Sequence, residues 1–236
     1  MMGKGRGKMT TRIVYQEQLQ ELNQQIIEMG HMAENMISET LVALIEMDRD
    51  KAKRVIESDD KVDFKQLEIE KECARLIAHQ QPIASDLRFI LSVVKIVTDI
   101  ERIADQCCDI CKYSLRFKDS TWSNEVNYQR HIEKMAVAAK EMLTSALNTF
   151  ITKNTGDIKD ICKADDKIDN AFWQVWEELK EAMISDKEFI RSGLRYIMII
   201  KYLERIADHI TNIAEWIYYS LTGEYVIHAP ISSSSV

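Results

Sequence analysis

The sequence predicts an all-α protein made of two similar three-helix bundles, with six long antiparallel helices related by an internal duplication. Only 7 glycines and 2 prolines occur in 236 residues, so turns are few and the elements between them are long. Apolar residues recur every three or four positions, which is typical of one face of a helix. Two acidic motifs occur once in each half of the chain, which predicts that both halves follow the same plan.

The first half is predicted to contain three helices. Apolar residues run from Tyr15 to Leu44 at spacings of mainly four and three, which places them in one stripe on a long helix. Asp50 is the predicted cap of a second helix. That helix ends shortly before Pro82, because the residue before a proline avoids helical geometry. A third helix is predicted over residues 84–117.

The second half is predicted to repeat this plan. A fourth helix is predicted over residues 125–152 and a fifth over residues 157–184. Ser185 and Glu188 have the spacing of a capping box that opens the sixth helix. Gly223 is its predicted terminator, because glycine readily adopts the left-handed conformation that ends many helices.

The repeated motifs divide the chain. The stretch from Asp59 to Asp63 recurs from Asp165 to Asp169, and Glu101-Arg102-Ile103-Ala104-Asp105 recurs as Glu204-Arg205-Ile206-Ala207-Asp208. The predicted segments are a flexible basic leader (1–12), a first three-helix repeat (13–118), a second three-helix repeat (125–222) and a frayed tail (223–236).

Charge, hydropathy and cysteine usage exclude several classes of protein. The net charge of −7 disfavours nucleic-acid binding, which depends on lysines and arginines that neutralise phosphates. No apolar run approaches the roughly 20 residues that span a bilayer, and no signal-peptide pattern is present. The 5 cysteines are odd in number and lie in helical segments, so we expect a cytoplasmic protein in which Cys107, Cys108 and Cys111 are core residues.

Carboxylates four residues apart form ladders on one helix face. Like charges at this spacing oppose the helix by roughly 0.2–0.5 kcal/mol per pair, and a bound cation would compensate for this cost. The ligands would all be oxygens, which suits hard cations such as Mg²⁺, Ca²⁺, Mn²⁺ or iron, and two facing ladders could hold several ions bridged by carboxylates. The alternative is a solvated acidic face. The candidate metal ligands are Asp59, Asp63, Glu101, Asp105, Asp109, Asp165, Asp169, Glu204, Asp208 and Asn212.

Other chemistry has little support in the sequence. His209 lies about 100° around the helix from Asp208, so a polar contact is favoured over metal ligation. No glycine-rich phosphate loop and no nucleophile elbow occur, and no catalytic residue or organic cofactor is predicted. No convergent group of arginines or lysines is evident, so the sequence leaves open whether phosphate is sensed directly.

The motifs resemble those of a known family. The stretch Pro82-Ile83-Ala84-Ser85-Asp86-Leu87-Arg88, the first-half Glu-Arg-Ile-Ala-Asp motif, and the stretch from Leu203 to Glu215 are similar to signatures of the PhoU family. The resemblance covers about residues 13–222. It implies two three-helix bundles with metal sites on the ladder residues. The family often has glycine at the positions of Ala104 and Ala207, and asparagine at that of Asp109, which leaves the identity of the metal open.

The resemblance also implies a function. PhoU-like proteins are cytoplasmic negative regulators of phosphate-starvation genes that associate with the membrane through their partners. The resemblance implies an adaptor between the ATPase subunit of a phosphate ABC transporter and a sensor histidine kinase. Dimers and higher oligomers are usual in the family, and we expect a homodimer here. The alternatives are a PhoU-like module that serves another transporter and a di-metal carboxylate enzyme or iron store. The last class usually needs two Glu-x-x-His motifs, and the chain has the single spacing from Glu28 to His31.

Overall fold

The computed structural model describes residues 4–117 and 126–225, with side chains from residue 13 to 117 and from 128 to 225. These ranges contain six long helices and no strand, which confirms the predicted fold class. Single 3₁₀ turns precede the last two helices. The helices are α1 (Lys4–Ile45), α2 (Arg49–Gln80), α3 (Ala84–Ser114), α4 (Val126–Thr152), α5 (Ile158–Ser185) and α6 (Ile190–Thr222).

The helices form two bundles that share a long central contact. Helices α1, α2 and α3 pack on one another, and α4, α5 and α6 do the same. The two bundles meet where α3 packs along α6 and where α1 packs on α4. At one end of the contact, Arg88 Nε donates a hydrogen bond to the Ser220 carbonyl at 3.2 Å. The start of α3 therefore lies beside the end of α6, so the two central helices are antiparallel.

The apolar stripe predicted on α1 faces the core. Leu22, Ile26, Met29, Ala33 and Met36 are all buried. The central helices α3 and α6 contribute many of the other buried side chains, as expected for elements covered on several sides. No described helix contains a stretch that is long and apolar enough to cross a membrane.

The predicted leader, connector and tail lie at or beyond the ends of the described ranges. Helix α1 begins at Lys4, so helical backbone extends into the segment 1–12 that was predicted as a flexible leader. Extending a helix adds one hydrogen bond per residue without a new nucleation step, which favours such an extension. The connector 118–125 and most of the predicted tail, 226–236, lie outside the described residues. The division at these points stays a prediction.

The predicted cap of α2 is wrong by two residues. Asp48, not Asp50, precedes the helix with an extended backbone. Its Oδ1 accepts hydrogen bonds from the backbone amides of Asp50 at 3.0 Å and Lys51 at 2.8 Å. Both aspartates are good caps by residue type. The turn through Met47, at φ 51°, decides which of them meets the free amides.

The predicted capping box before α6 is also wrong. Ser185 is the last residue of α5, and its hydroxyl donates to the Glu181 carbonyl at 2.9 Å. The Asp186 carboxylate instead accepts from the Glu188 amide at 2.9 Å and opens a 3₁₀ turn. Helix α6 begins after this turn, at Ile190. Ser185 still belongs to α5, so the position that caps the following turn falls on Asp186.

The predicted end of α6 is correct, whereas the predicted end of α3 is wrong. Gly223 terminates α6 as predicted, with φ at 83° and its amide bonded to the Tyr219 carbonyl at 2.9 Å. Helix α3 ends at Ser114, three residues before the predicted end. The Leu115 carbonyl there accepts a hydrogen bond at 3.0 Å from Arg49 Nη1, at the start of α2. This contact satisfies a carbonyl that a longer helix would have paired internally.

The three clustered cysteines are core residues, as predicted. Cys107, Cys108 and Cys111 are all buried free thiols on the inner face of α3. Burial raises the pKa of each of these thiols, and that of Cys111 reaches about 11. Thiols held in this way are inert packing groups and not reactive nucleophiles.

Candidate metal centres

The second half brings acidic side chains of α5 and α6 together. Asp165, Asp169 and Asp208 each place a carboxylate oxygen within 4.8 Å of those of the other two. Asp165 and Asp169 are one turn apart on α5 and face α6, where Glu204 precedes Asp208 by one turn. We call these four residues the α5–α6 carboxylate cluster. Three of its oxygens are close enough for a single ion to contact all of them.

Negative charge in the α5–α6 carboxylate cluster is poorly compensated. Burial, followed by the charges of Asp169 and Asp208, raises the pKa of Asp165 to about 6. Asp208 is the exposed member of the three aspartates, but its partial desolvation, followed by the carboxylates of Glu204 and Asp169, raises its pKa to about 6. The pKa of Asp169 is raised for the same reasons. Lys201 partly offsets this charge by contacting both oxygens of Glu204, at 2.7 and 2.6 Å.

The first half contains a related group of carboxylates between α2 and α3, but among the described residues only the α5–α6 cluster brings three ligand oxygens within 4.8 Å of one another. Burial raises the pKa of Asp59, and the charges of Asp63 and Asp105 raise it further. Burial and Asp105 also raise the pKa of Glu101, an effect that Arg102 opposes. Arg102 Nη1 lies 2.8 Å from Asp105 Oδ2, so this group is more neutralised than its counterpart. We call Asp59, Asp63, Glu101 and Asp105 the α2–α3 carboxylate cluster.

Both clusters contain buried carboxylate oxygens without a hydrogen-bond partner. In the α5–α6 cluster these are the Oδ1 atoms of Asp165 and Asp169. In the α2–α3 cluster they are Asp59 Oδ1 and Glu101 Oε2, although the latter lies 3.4 Å from Arg102 Nε in an ion pair. A buried acceptor without a partner costs free energy, and a cation would supply that partner. The residues therefore fit a hard cation with oxygen ligands better than they fit a solvated acidic face.

The third residue of each long ladder lies elsewhere. Asp109 Oδ1 is 3.0 Å from Lys112 Nζ, and burial together with the Asp109 carboxylate raises the pKa of Tyr202 across the α3–α6 contact. Asn212 Nδ2 donates to Asp99 Oδ1 at 3.3 Å. Each step of four residues turns about 40° around the helix, so two steps turn the side chain about 80° away from the first. The structure thus brings eight of the ten predicted ligands into two clusters.

The side chain of Asp99 makes a contact between α3 and α6 that the sequence did not reveal. Its Oδ1 lies 2.9 Å from Nδ1 of His209, which makes a polar contact there, as predicted. Asp99 is two residues before Glu101 and so about 200° around the helix from it, off the acidic ladder. The sequence indicated that His209 makes a polar contact, but it did not identify the partner.

Both residues of the single Glu-x-x-His motif, Glu28 and His31, make contacts outside the carboxylate clusters. Glu28 Oε2 lies 2.6 Å from Lys65 Nζ, and His31 Nδ1 lies 3.0 Å from Glu34 Oε2. The His31 side chain is largely exposed, with 59% of its surface accessible. Neither side chain reaches the two carboxylate clusters, which take their acidic groups from other helices.

The sequence model of the PhoU domain matches residues 26–114 and 132–217, which is more than half of the chain. The chain belongs to the PhoU family. Each matched PhoU segment contains one complete carboxylate cluster. Ala104 and Ala207, where the family often has glycine, are fully buried without disturbing the central helices.

Similar PhoU proteins are known from several bacteria. A phosphate-specific transport system accessory protein PhoU homolog from Clostridium acetobutylicum is 37% identical over 217 residues, which cover 92% of this chain and 98% of that protein. A protein with the same description from Streptococcus pneumoniae is 32% identical over 209 residues, covering 89% and 95%. The chain is thus similar to these proteins over nearly their whole length.

Two crystal structures share the fold. The phosphate transport system regulatory protein PhoU from Streptococcus pneumoniae matches with a TM-score of 0.83 at 31% identity, covering 91% of this chain and 100% of that one. PhoU from Pseudomonas aeruginosa matches with a TM-score of 0.81 at 29% identity, covering 89% and 100%. The two helical bundles described above are therefore those of PhoU.

Proposed function

We propose that the protein is a negative regulator of phosphate uptake and phosphate-starvation signalling. In this role it is a cytoplasmic adaptor between the ATPase subunit of a phosphate ABC transporter and a sensor histidine kinase, and it has no catalytic activity of its own. The observation that carries the proposal is the similarity to a phosphate-specific transport system accessory protein, at 37% identity over 92% of the chain. We expect a homodimer that reaches the membrane through its partners.

The carboxylate clusters have a structural role in this proposal. Hard cations, such as iron, Mn²⁺, Mg²⁺ or Ca²⁺, would bind the α2–α3 cluster and the α5–α6 cluster. When bound, a cation supplies the positive charge that these acidic groups lack. It would hold α2 against α3, and α5 against α6, and so stabilise the outer faces available to partners. The buried oxygens without partners and the raised pKa values of Asp165 and Asp208 support this role.

A reporter for a phosphate-starvation promoter tests the regulatory role. The reporter is measured in phosphate-rich medium after deletion of the gene and after its restoration. High activity in the deletion strain, silenced on restoration, is the expected result. An unchanged reporter would contradict the proposal and would favour a PhoU-like module that serves another transporter.

Variants connect the clusters to this role. Asp105→Asn and Asp208→Asn each remove a charge from one cluster without changing the size of the side chain. We expect both variants to restore repression poorly. Asp160→Asn is a matched control, because Asp160 is exposed and pairs only with Lys163 at 2.9 Å among the described residues. Full repression by all three variants would show that the clusters are not needed for regulation. The result of the deletion experiment would be unaffected.

A further inference from the structure

Three arginines lie together at the end of the bundle where α3 ends and α6 begins. Arg116 follows the last turn of α3, whereas Arg191 and Arg195 occupy the first two turns of α6. Because the two helices are antiparallel, these distant parts of the chain meet. The guanidinium carbon of Arg195 lies 5.4 Å from the centroid of the Phe117 ring, next to Arg116 in the chain. We call Arg116, Arg191 and Arg195 the arginine cluster.

Aromatic rings support two of the three guanidinium groups. The Arg116 guanidinium carbon is 4.7 Å from the centroid of the Tyr113 ring. The Phe117 ring beneath Arg195 packs in turn on the buried ring of Tyr196, with 5.0 Å between centroids. Stacking occupies the flat face of a guanidinium but leaves the N–H groups in its plane free to donate. The rings therefore hold the arginine side chains in place without using up their hydrogen-bond donors.

The positive charge of the arginine cluster has no described counter-charge. No ion pair joins any of these arginines to a carboxylate within residues 13–117 and 128–225, whereas Arg75 pairs with Glu72 and Arg102 with Asp105. Burial, followed by the charges of Arg191 and Arg116, lowers the pKa of Arg195.

The position of the arginines on α6 adds to this charge. The first turn of α6 itself contains no acidic residue, although the 3₁₀ turn directly before it is capped by Asp186 and contains Glu188. The amino end of a helix carries partial positive charge, so acidic residues are favoured there and arginines are not. Two arginines in the first two turns are thus unfavourable for the helix alone.

We propose that the arginine cluster binds the phosphate-type oxyanion of free inorganic phosphate or of a phospholipid headgroup. Planar guanidinium groups donate pairs of parallel hydrogen bonds to such oxyanions, and three of them match a multiply charged ligand better than a small monoanion such as chloride. The site lies on the α3–α6 end and uses none of the residues of the carboxylate clusters. This inference goes beyond the proposed regulatory role, and its test does not depend on that role.

Titration calorimetry of the full-length protein with inorganic phosphate tests the first ligand source. The protein is first treated with a chelator, so that no cation in the carboxylate clusters can bind phosphate. We expect saturable binding that Arg191→Gln and Arg195→Gln each weaken by about tenfold or more, the loss typical of one charge-assisted hydrogen bond. The matched control, Arg75→Gln, removes an exposed arginine on α2 and should bind phosphate like the wild type. Thermal melting without phosphate should show that the variants remain folded, because each removes repulsion between like charges.

Sedimentation with lipid vesicles tests the second source. The same proteins are mixed with vesicles of phosphatidylglycerol and, for comparison, of phosphatidylcholine. Binding of inorganic phosphate that depends on the arginines assigns the site to free phosphate, whereas arginine-dependent binding to phosphatidylglycerol alone assigns it to lipid. If neither ligand binds, or if the double variant Arg191→Gln/Arg195→Gln binds as well as the wild type, the proposal is wrong. A negative reporter result would overturn the regulatory role without changing either binding measurement.

Discussion

Nδ1 of His209 on α6 lies 2.9 Å from Oδ1 of Asp99 on α3, which joins the two halves of the molecule by a polar contact. Both side chains are largely buried, with 23% and 14% of their surfaces exposed. The same Asp99 oxygen accepts a hydrogen bond from Asn212 at 3.3 Å. Asp99 therefore satisfies two polar groups of α6 at once.

Removing this carboxylate should destabilise the central contact. Asp99→Ala leaves the partly buried His209 without its partner, which costs an amount at the lower end of about 1–3 kcal/mol, whereas the exposed Asn212 can bond to water instead. Urea unfolding of the metal-free protein measures this loss. Glu177→Ala is the control, because Glu177 is exposed and pairs with Lys180 on the same helix, a kind of pair worth about 0–1 kcal/mol. Equal stability of the two variants would show that the Asp99 contact contributes little.

The pH dependence of metal-free protein should reveal the strain in the α5–α6 carboxylate cluster. The pKa of Asp208 is raised to about 6 in the folded state, against about 3.9 in an unfolded chain. The folded state therefore binds this proton more tightly. The contribution of Asp208 to the free energy of unfolding is most favourable below about pH 4 and is lost as the pH rises towards 6.

An isosteric variant isolates this contribution. Asp208→Asn removes the charge and keeps the size, so it should melt like the wild type near pH 4 and at a higher temperature near pH 7.5. Calorimetry with a chelator present compares the two proteins at both pH values. A wild type that is the more stable protein near pH 7.5 would show that the acidic cluster is not strained without metal.

Metal binding should make the wild type more stable than the Asp208→Asn variant near pH 7.5. We expect purified protein to retain, or to take up from Mn²⁺ or Fe³⁺, at least about two hard cations per chain, since the two clusters are separate. A cation at 100 times its Kd stabilises the folded state by about 2.7 kcal/mol, so Mn²⁺ should raise the melting temperature of the wild type. Asp105→Asn and Asp208→Asn should each lower the bound metal, and Asp160→Asn should not. Elemental analysis that finds no metal after soaking would exclude the metal centres.

Gly30 should be intolerant of even a methyl group where α1 crosses α4. A Cβ at Gly30 would lie 2.3 Å from Cδ2 of Leu147, whose side chain is 2% exposed. Overpacking costs roughly 1–3 kcal/mol, which exceeds the gain of about 1 kcal/mol from replacing a helical glycine by alanine. Gly30→Ala should therefore lower the free energy of unfolding. Adding Leu147→Ala should remove the clash, and a double-mutant cycle measures this coupling.

A second glycine provides the comparison. A Cβ at Gly193 would lie 2.7 Å from Cγ and Sδ of Met183, a flexible and only partly buried side chain. Methionine adapts to such changes more easily than a buried leucine. Gly193→Ala should therefore cost less than Gly30→Ala in urea unfolding. The reverse order would mean that the contact between α1 and α4 is looser than the structure indicates.

The sequence by itself determined the helices, their duplication and most of the carboxylate clusters. These features depend on spacing along one helix, and residues four apart share a face wherever that helix packs. Asp165 and Asp169 could therefore be placed together from the sequence, as could Glu204 and Asp208. The cap at Asp48 was missed because two suitable aspartates compete within three residues, and the turn before them decides between them.

Only the tertiary structure decided which helices face one another, and so which partners meet. The contact between Asp99 and His209, and the meeting of Arg116 with Arg195, join residues far apart in the chain. No local period relates such residues, because their distance depends on the packing and direction of α3 and α6. The departure of Asp109 and Asn212 from the ladders has the same origin, since a drift of about 80° around a helix matters only once a neighbouring helix faces one side of it.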